Sequence, residues 1–85
     1  MSKQKVIIER ILNLDGTWQG YRLSPSHAYA KYNWPEPGKQ FNSLSEIITF
    51  YNLEDVKELG TKYSYDNKNQ KYGIEEHSAI INKKQ

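Results

Sequence analysis

The chain has 85 residues, which is enough for one domain and not for two. It contains no cysteine, which excludes disulfides, thiolate metal sites and a cysteine nucleophile and is typical of proteins in a reducing compartment. The formal net charge is only +2, and we expect a soluble, cytoplasmic protein because neither a signal peptide nor an apolar run of about 18 residues is present.

The first predicted element is a β-hairpin over residues 5–23. Apolar residues alternate in KVIIERILNL, but some of them also fit one face of a helix, so the period alone is ambiguous. The β-branched content favours a strand, and the following Asp15-Gly16 dipeptide favours a tight type I′ turn. A second strand then runs to Leu23, with Gly20 as the expected position of a bulge.

A turn, a third strand and a loop are predicted next. Ser24-Pro25-Ser26 is typical of a turn. From His27 to Trp34, small and aromatic residues alternate with polar ones, which predicts a strand. Residues 34–38 (WPEPG) predict a loop, because two prolines and a glycine sustain neither a strand ladder nor a helix.

The clearest local signal is the start of a helix. Ser43-Leu44-Ser45-Glu46 is a capping box, in which Ser43 caps the first turn and Glu46 reaches back. Two endings remain open: the helix continues through Val56 and Leu59 to a stop at Gly60, or Asn52 ends it and caps a second, shorter helix. The apolar stripe that predicts the helix consists of Leu44, Ile47, Ile48 and Tyr51.

The last part of the chain predicts a second hairpin. Residues 61–65 and 71–74 are expected strands, joined by the polar turn 66–70. Ile80 and Ile81 are expected to dock as a last short piece, and residues 82–85 to form a frayed tail. Together, the elements predict a single small α+β domain: an antiparallel β-sheet of about four or five strands with one main α-helix packed on one face.

The core of such a domain is expected to be thin. A chain of this length buries only about 60% of its unfolded surface, which favours association with another protein or with a second copy. The predicted core residues are Val6, Ile8, Leu12, Trp18, Leu23, Leu44, Ile47, Ile48, Tyr51, Val56 and Leu59.

The sequence offers little for catalysis or for metal binding. The histidines are His27 and His77, and Glu75-Glu76-His77 lacks the i, i+4 spacing that places metal ligands on one helix face. That run is more typical of a solvated surface. Ser24, Ser26 and His27 are not accompanied by a nucleophile elbow. We therefore expect no catalytic residues, no metal site and no cofactor.

Binding is the favoured class of function, because aromatic residues make up 13% of the chain. Tyr, Trp and Arg are enriched in the hot spots of protein interfaces. The candidate protein-binding residues are Trp34, Tyr29, Tyr63, Tyr65 and Tyr72, although a lid over the core is the simpler interpretation of Trp34. The alternative target is nucleic acid, since basic and aromatic groups on a sheet face contact phosphates and stack on bases. The candidate nucleic-acid-binding residues are Arg22, Lys31, Lys62 and Lys71.

Residues 38–51 (GKQFNSLSEIITFY) resemble the second-helix segment of SH2 phosphotyrosine-binding domains. Those domains hold a phosphate-binding arginine within a strand, and Arg22 in Gly20-Tyr21-Arg22-Leu23-Ser24 is similar to it. The chain departs from the family in being shorter, in lacking the first helix and in not carrying the full arginine motif.

Composition and length favour one kind of protein-binding protein. Short, cysteine-free chains rich in Lys, Asn, Ile and Tyr are common among proteins of phages and other mobile elements of low-GC bacteria. Such proteins often inhibit a host enzyme or a defence system, anti-CRISPR proteins included. We therefore expect an inhibitor that acts by steric occlusion through an aromatic surface.

Overall fold

The computed structural model describes residues 2–24 and 39–83. These residues form a four-stranded antiparallel sheet in the order β2-β1-β4-β3, with one helix. The predicted α+β fold is thereby confirmed, while the predicted strand 27–34 and the loop 34–38 lie outside the described residues. The elements are β1 (Ser2–Leu12), β2 (Arg22–Leu23), α1 (Leu44–Tyr51), β3 (Glu54–Tyr65) and β4 (Lys71–Lys83).

β1 and β4 form the centre of the sheet. All of β1 is paired with β4, from Ser2 opposite Lys83 to Leu12 opposite Gly73. Asn82 and Lys83 are therefore paired residues of β4, and the prediction of a frayed tail is wrong for these two. Successive side chains of a strand point to opposite faces. Even-numbered residues of β1 and odd-numbered residues of β4 thus share one face, which α1 covers at one end. We call it the helix face, and the other the reverse face.

The core lies between α1 and the helix face. Val6, Ile8, Leu23 and Ile47 are essentially inaccessible to solvent. The predicted core residues Leu44, Ile48 and Val56 pack against this cluster from partly exposed positions. Core residues that the sequence did not indicate are Phe41, Leu53, Ala79 and Ile81.

The helix begins where the sequence predicts. The Ser43 hydroxyl accepts a hydrogen bond from the backbone N–H of Glu46 at 3.2 Å. The Glu46 carboxylate in turn accepts one from the backbone N–H of Asn42, also at 3.2 Å. The Ser43 bond is the first half of a capping box, whereas Glu46 reaches one residue beyond the N-cap, to the N–H of Asn42 rather than to that of Ser43.

The helix ends at Asn52, whose left-handed backbone (φ 54°, ψ 51°) lets its N–H reach the carbonyl groups of the last turn. The chain then enters β3, so both the extension to Gly60 and the second helix are wrong predictions. Val56 and Leu59 match a helical period but lie on a strand, because β3 pairs with β4. Leu59 was predicted to be in the core and is instead 55% exposed.

The first hairpin turns at the predicted place with a different geometry. Asn13 N–H donates to the Thr17 carbonyl at 2.7 Å, and Gly16 N–H donates to the Asn13 carbonyl at 3.0 Å. Of the Asp15-Gly16 pair only Gly16 has positive φ, at 88°. A type I′ turn needs positive φ at both residues, whereas a type I turn followed by a left-handed residue fits. The turn thus has a three-residue loop.

The strand after this turn is irregular, and Gly20 lies in the irregular part. Leu12 pairs with Trp18, and Glu9 pairs with Arg22, so three steps along β1 face four steps along its partner. The extra residue fits the predicted bulge. A Cβ atom on residue 20 would lie 2.8 Å from the Phe41 carbonyl oxygen, so glycine is needed for this close approach. Trp18 consequently lies outside the core cluster and is only half-buried.

The second hairpin is longer than predicted, because Ile80 and Ile81 belong to β4 rather than to a separate piece. Its turn repeats the geometry of the first: Asp66 N–H donates to the Gln70 carbonyl at 3.1 Å, and Asn69 has φ 60°. The pairing register shifts between Glu54 and Lys57 and again between Glu58 and Gly60. Residues 60–65 are therefore the regular part of β3. In the part of the chain that the structure describes, no helix is long and apolar enough to cross a membrane.

The first turn offers a test of its side-chain hydrogen bonds. The Thr17 hydroxyl donates to the Asp15 carboxylate at 2.6 Å and the Thr17 N–H at 2.9 Å, and these bonds hold the pKa of Asp15 below its ordinary value. In Thr17→Val the hydroxyl bond is lost, and we expect an NMR titration to show a higher pKa for Asp15. A depressed folded-state pKa stabilises the protein above the unfolded-state pKa, and this stabilisation is lost as pH falls through the folded value. The variant should therefore lose less stability in acid.

Glu54 is the internal control for that titration. Its pKa is also held low, chiefly by the hydrogen bond that Lys3 Nζ donates at 3.0 Å, and it lies far along the chain from the turn. In Thr17→Val the pKa of Glu54 should not change. An Asp15 pKa that stays as low as in the wild type would contradict the role assigned to the hydroxyl.

Candidate protein-binding surface

Exposed tyrosines lie on the β3–β4 hairpin. Tyr63 pairs with Gly73, and Tyr65 pairs with Lys71. Directly opposed residues of two strands place their side chains on the same face, so both tyrosines share the helix face with Lys71. Tyr63 is 46% exposed and Tyr65 is 62% exposed. We call Tyr63, Tyr65 and Lys71 the tyrosine patch.

Two contacts hold the Tyr63 ring in place. The Lys71 ammonium nitrogen lies 3.7 Å from the ring centroid, a cation–π contact. On the opposite strand, a Cβ atom at Gly73 would lie 3.0 Å from the Tyr63 ring and would collide with the Lys62 carbonyl oxygen. The ring therefore covers a glycine, as aromatic residues do when they compensate for a missing side chain in a sheet.

Gly73→Ala tests the position of the Tyr63 ring over Gly73. The added methyl group must displace the Tyr63 ring and strain the backbone beside it, so we expect a loss of about 1 kcal/mol in the free energy of unfolding. The side-chain NMR signals of Lys71 should at the same time lose the ring-current shift from Tyr63. Ser64→Ala, a change on the reverse face, is the control and should leave the Lys71 signals as they are. If the Lys71 signals in Gly73→Ala stay where they are in the wild type, the Tyr63 ring does not lie over the glycine.

The structure does not bring all of the predicted tyrosines together. Tyr72 pairs with Ser64, which places it on the reverse face of the same hairpin, where it is 40% exposed. The two faces of the hairpin thus carry separate aromatic surfaces. Trp34 and Tyr29 lie outside the described residues.

The residues of the nucleic-acid alternative are not gathered on one surface. Arg22 Nε donates a hydrogen bond of 2.8 Å to a carboxylate oxygen of Glu9, a buried residue, and Arg22 Nη2 lies 2.8 Å from the same oxygen. Lys62 pairs with Ile74 on the reverse face, whereas Lys71 lies on the helix face. Lys31 falls outside the described residues. Arg22, which the SH2 resemblance implies as a phosphate ligand, is thus already bound to a carboxylate whose burial requires a cation.

A polar cluster that the sequence did not indicate lies between the core and the tyrosine patch. Arg10 Nε and Nη2 donate to one oxygen of Glu75 at 2.9 and 2.7 Å. The Arg10 guanidinium carbon also lies 4.2 Å from the ring centroid of Trp18 and 4.8 Å from that of Tyr21. The available signal was Arg10 itself, the one charged residue at an apolar position of the alternation in β1. Trp18 packs on this cation rather than in the core.

The Glu75-Glu76-His77 run is divided between the two faces, because Glu76 points to the reverse face. His77 is buried, and its Nδ1 has no hydrogen-bond partner and lies 3.9 Å from a Glu75 oxygen. The interpretation of this run as a solvated surface is therefore wrong. Among the described residues, no group of three His, Cys, Asp or Glu side chains is arranged to hold a metal ion.

A second aromatic cluster joins α1 to the segment before it. The ring centroids of Phe41 and Phe50 are 5.1 Å apart, and Tyr51 lies 5.9 Å from Phe41 and 4.9 Å from Phe50. Phe41 and Tyr51 are buried, while Phe50 is exposed beside a shallow hollow between the helix and Phe41. The cluster therefore attaches the segment before the helix to the core, and only Phe50 is available at the surface.

No protein-family model, no curated protein and no solved structure matches the chain.

Proposed function

We propose that the protein is a cofactor-free, cytoplasmic protein-binding module that inhibits its target by covering a surface of it. The observation that carries the proposal is the tyrosine patch, in which Tyr63 and Tyr65 stand exposed on one face of β3. Tyrosine provides a large contact area at a small cost in side-chain entropy, and a rigid sheet limits the entropy lost on binding. An exposed aromatic pair of this kind is suited to act as the hot spot of an interface.

The distribution of charge supports a protein target over nucleic acid. A nucleic-acid interface needs several unpaired cations on one face. Here Arg10 and Arg22 each bind a carboxylate, and Lys62 and Lys71 point to opposite faces. The tyrosine patch thus carries one cation, which lies on the ring of Tyr63.

The kind of target is proposed from composition and length. A short, cysteine-free, aromatic-rich chain fits an inhibitor carried by a phage or another mobile element, directed at a host enzyme or at a defence system in the manner of anti-CRISPR proteins. Occlusion of the target surface requires no catalytic group of the inhibitor. We expect such an inhibitor to act in proportion to its occupancy of the target.

Affinity capture tests the proposal and its surface together. The tagged protein, Tyr63→Ser/Tyr65→Ser and Tyr72→Ser are incubated with a lysate of a low-GC bacterium, with and without nuclease, and washed at low and high salt. We expect the wild type to retain one protein through nuclease and high salt. The double variant should lose it, since hot-spot residues contribute about 2 kcal/mol or more each, whereas Tyr72→Ser, the same change on the reverse face, should keep it.

Two results would contradict the proposal. Recovery of nucleic acid alone, released at high salt, would favour the nucleic-acid alternative, because phosphate contacts are lost as counterions compete. Equal loss of the retained protein in Tyr72→Ser and in the double variant would show that the tyrosine patch is not the specific binding surface.

A further inference from the structure

β3 lies at one edge of the sheet, and its outer side is unpaired in the described part of the chain. The opposite edge is β2, which has only two residues, whereas β3 has twelve. Long unpaired edges are templates for pairing with another strand, and proteins usually interrupt them with bulges or charges. The two register shifts of β3 lie before Gly60 and leave residues 60–65 as a regular, uninterrupted edge.

The backbone groups that point outward can be identified. Asp66 N–H donates to Gln70 across the turn, so this pair is hydrogen-bonded. Hydrogen-bonded and non-hydrogen-bonded pairs alternate along an antiparallel ladder, so Ser64 and Lys62 point their N–H and C=O groups at β4. The proximity of the Lys62 carbonyl oxygen to Gly73 agrees with this assignment. The backbone groups of Thr61, Tyr63 and Tyr65 therefore point outward.

We propose that this edge pairs with the same edge of a second copy, in antiparallel orientation about a two-fold axis at Tyr63. In that register Tyr63 faces the partner's Tyr63, and Thr61 faces the partner's Tyr65. All of the outward groups of the regular segment then find partners, giving about six backbone hydrogen bonds. The bulge before Gly60 and the turn at Asp66 lie outside the paired segment. The two four-stranded sheets become one continuous sheet.

The side chains on the edge suit this register. On the helix face, the tyrosines of the two copies stand opposite Thr61 or Tyr63, and aromatic and β-branched cross-strand pairs stabilise sheets. On the reverse face, Lys62 stands opposite the partner's Ser64, so no like charges stand directly opposite each other. A shift of two residues either way would pair the bulge or the turn, which limits the edge to a single good register.

A second copy fits this edge better than an unrelated peptide does. Residues 61–65 extend equally far on both sides of the two-fold axis. This segment complements a second copy of itself in hydrogen bonding and in charge. The dimer would also join the two tyrosine patches into one surface across the axis. Dimerisation is a property of the purified protein alone, so it does not depend on the proposed target.

Charge changes at residue 64 test the pairing. Ser64 is exposed on the reverse face, so neither replacement should disturb the monomer. The two-fold axis gives two equivalent pairs of residue 64 with the partner's Lys62. In both pairs, Ser64→Glu would place a carboxylate opposite the lysine, and Ser64→Lys would place an ammonium group opposite it. Sedimentation equilibrium over about 10 µM to 1 mM, a range suited to a small interface, should show the dimer tightened roughly two- to thirty-fold by Glu and weakened as much by Lys.

Single cysteines test the register, since the chain has none of its own. In the proposed dimer the two copies of residue 63 are about 5.5 Å apart between Cα atoms, within the range of a disulfide. The two copies of residue 61 are about 14 Å apart, because four residues of strand rise add to the spacing between the strands. Tyr63→Cys should therefore form a covalent dimer under mild oxidation much faster than Thr61→Cys does.

The proposal is overturned by any of three results. The first is a wild type that remains monomeric across the whole concentration range. The second is an equal dimer affinity for Ser64→Glu and Ser64→Lys when circular dichroism shows that both are folded. The third is oxidation of Thr61→Cys to a dimer as fast as Tyr63→Cys, which would show that the association does not use this register.

Discussion

Replacing Ile47 with alanine should lower the free energy of unfolding by about 2–5 kcal/mol, the range measured when large aliphatic residues are removed from cores. Ile47 has no exposed surface and lies on α1 against the helix face of the sheet. The lost free energy has two parts: the transfer free energy of the methyl and methylene groups that are no longer buried, and the cost of the cavity that remains. A single helix covers the core in the described part of the chain, so few neighbours can move in to fill such a cavity.

Ile48 is the matched control for that prediction. It is the same residue type, on the same helix, one position further along, but it is only partly buried at the margin of the core. Ile48→Ala should therefore lose less, about 1–2 kcal/mol, since fewer of its carbon atoms are removed from water in the fold. Urea unfolding followed by circular dichroism measures both variants, and the same slope in both is expected. Equal losses would contradict the arrangement of the helix on the sheet.

Local chemistry in the sequence was enough to predict where elements begin and turn. The capping bonds of Ser43 and Glu46 join residues three and four positions apart, and the turns at Gly16 and Asn69 depend on residues that tolerate positive φ. The helix end was not predictable in the same way. Val56 and Leu59 continue the helical period, but pairing between β3 and β4 outweighs it, and such pairing is a long-range property.

The candidate site was predictable by residue type and not by arrangement. Tyr63, Tyr65 and Tyr72, which the sequence offers as binding candidates, are all exposed. Which of them share a face depends on the register across the turn, where Tyr63 meets Gly73 and Tyr72 meets Ser64. The ion pair of Arg22 was not predictable either, because the sequence does not indicate a partner for this cation. Its partner Glu9 lies thirteen residues away, on the neighbouring strand.

Arg10→Met should destabilise the protein by about 1.5–3 kcal/mol, the range for a lost hydrogen bond to a charged group. Methionine keeps most of the length of the arginine side chain, so the change mainly removes the two bonds to Glu75 and the cation between Trp18 and Tyr21. Glu75 is only 12% exposed in its side chain and would keep a buried charge without its cation. Lys3→Met, which breaks a solvent-exposed pair with Glu54, is the control and should change stability little.

The double variant Arg10→Met/Glu75→Leu separates the cost of an unpaired charge from the value of the pair. Replacing a buried ion pair with apolar residues of similar size is often neutral or stabilising, whereas removing one partner is not. We therefore expect urea unfolding to show that the double variant recovers most of the stability that Arg10→Met loses. If the double variant were as unstable as the single one, the loss would come from the contacts of Arg10 with Trp18 and Tyr21. Those contacts would then be what holds the first hairpin against the sheet beside the tyrosine patch.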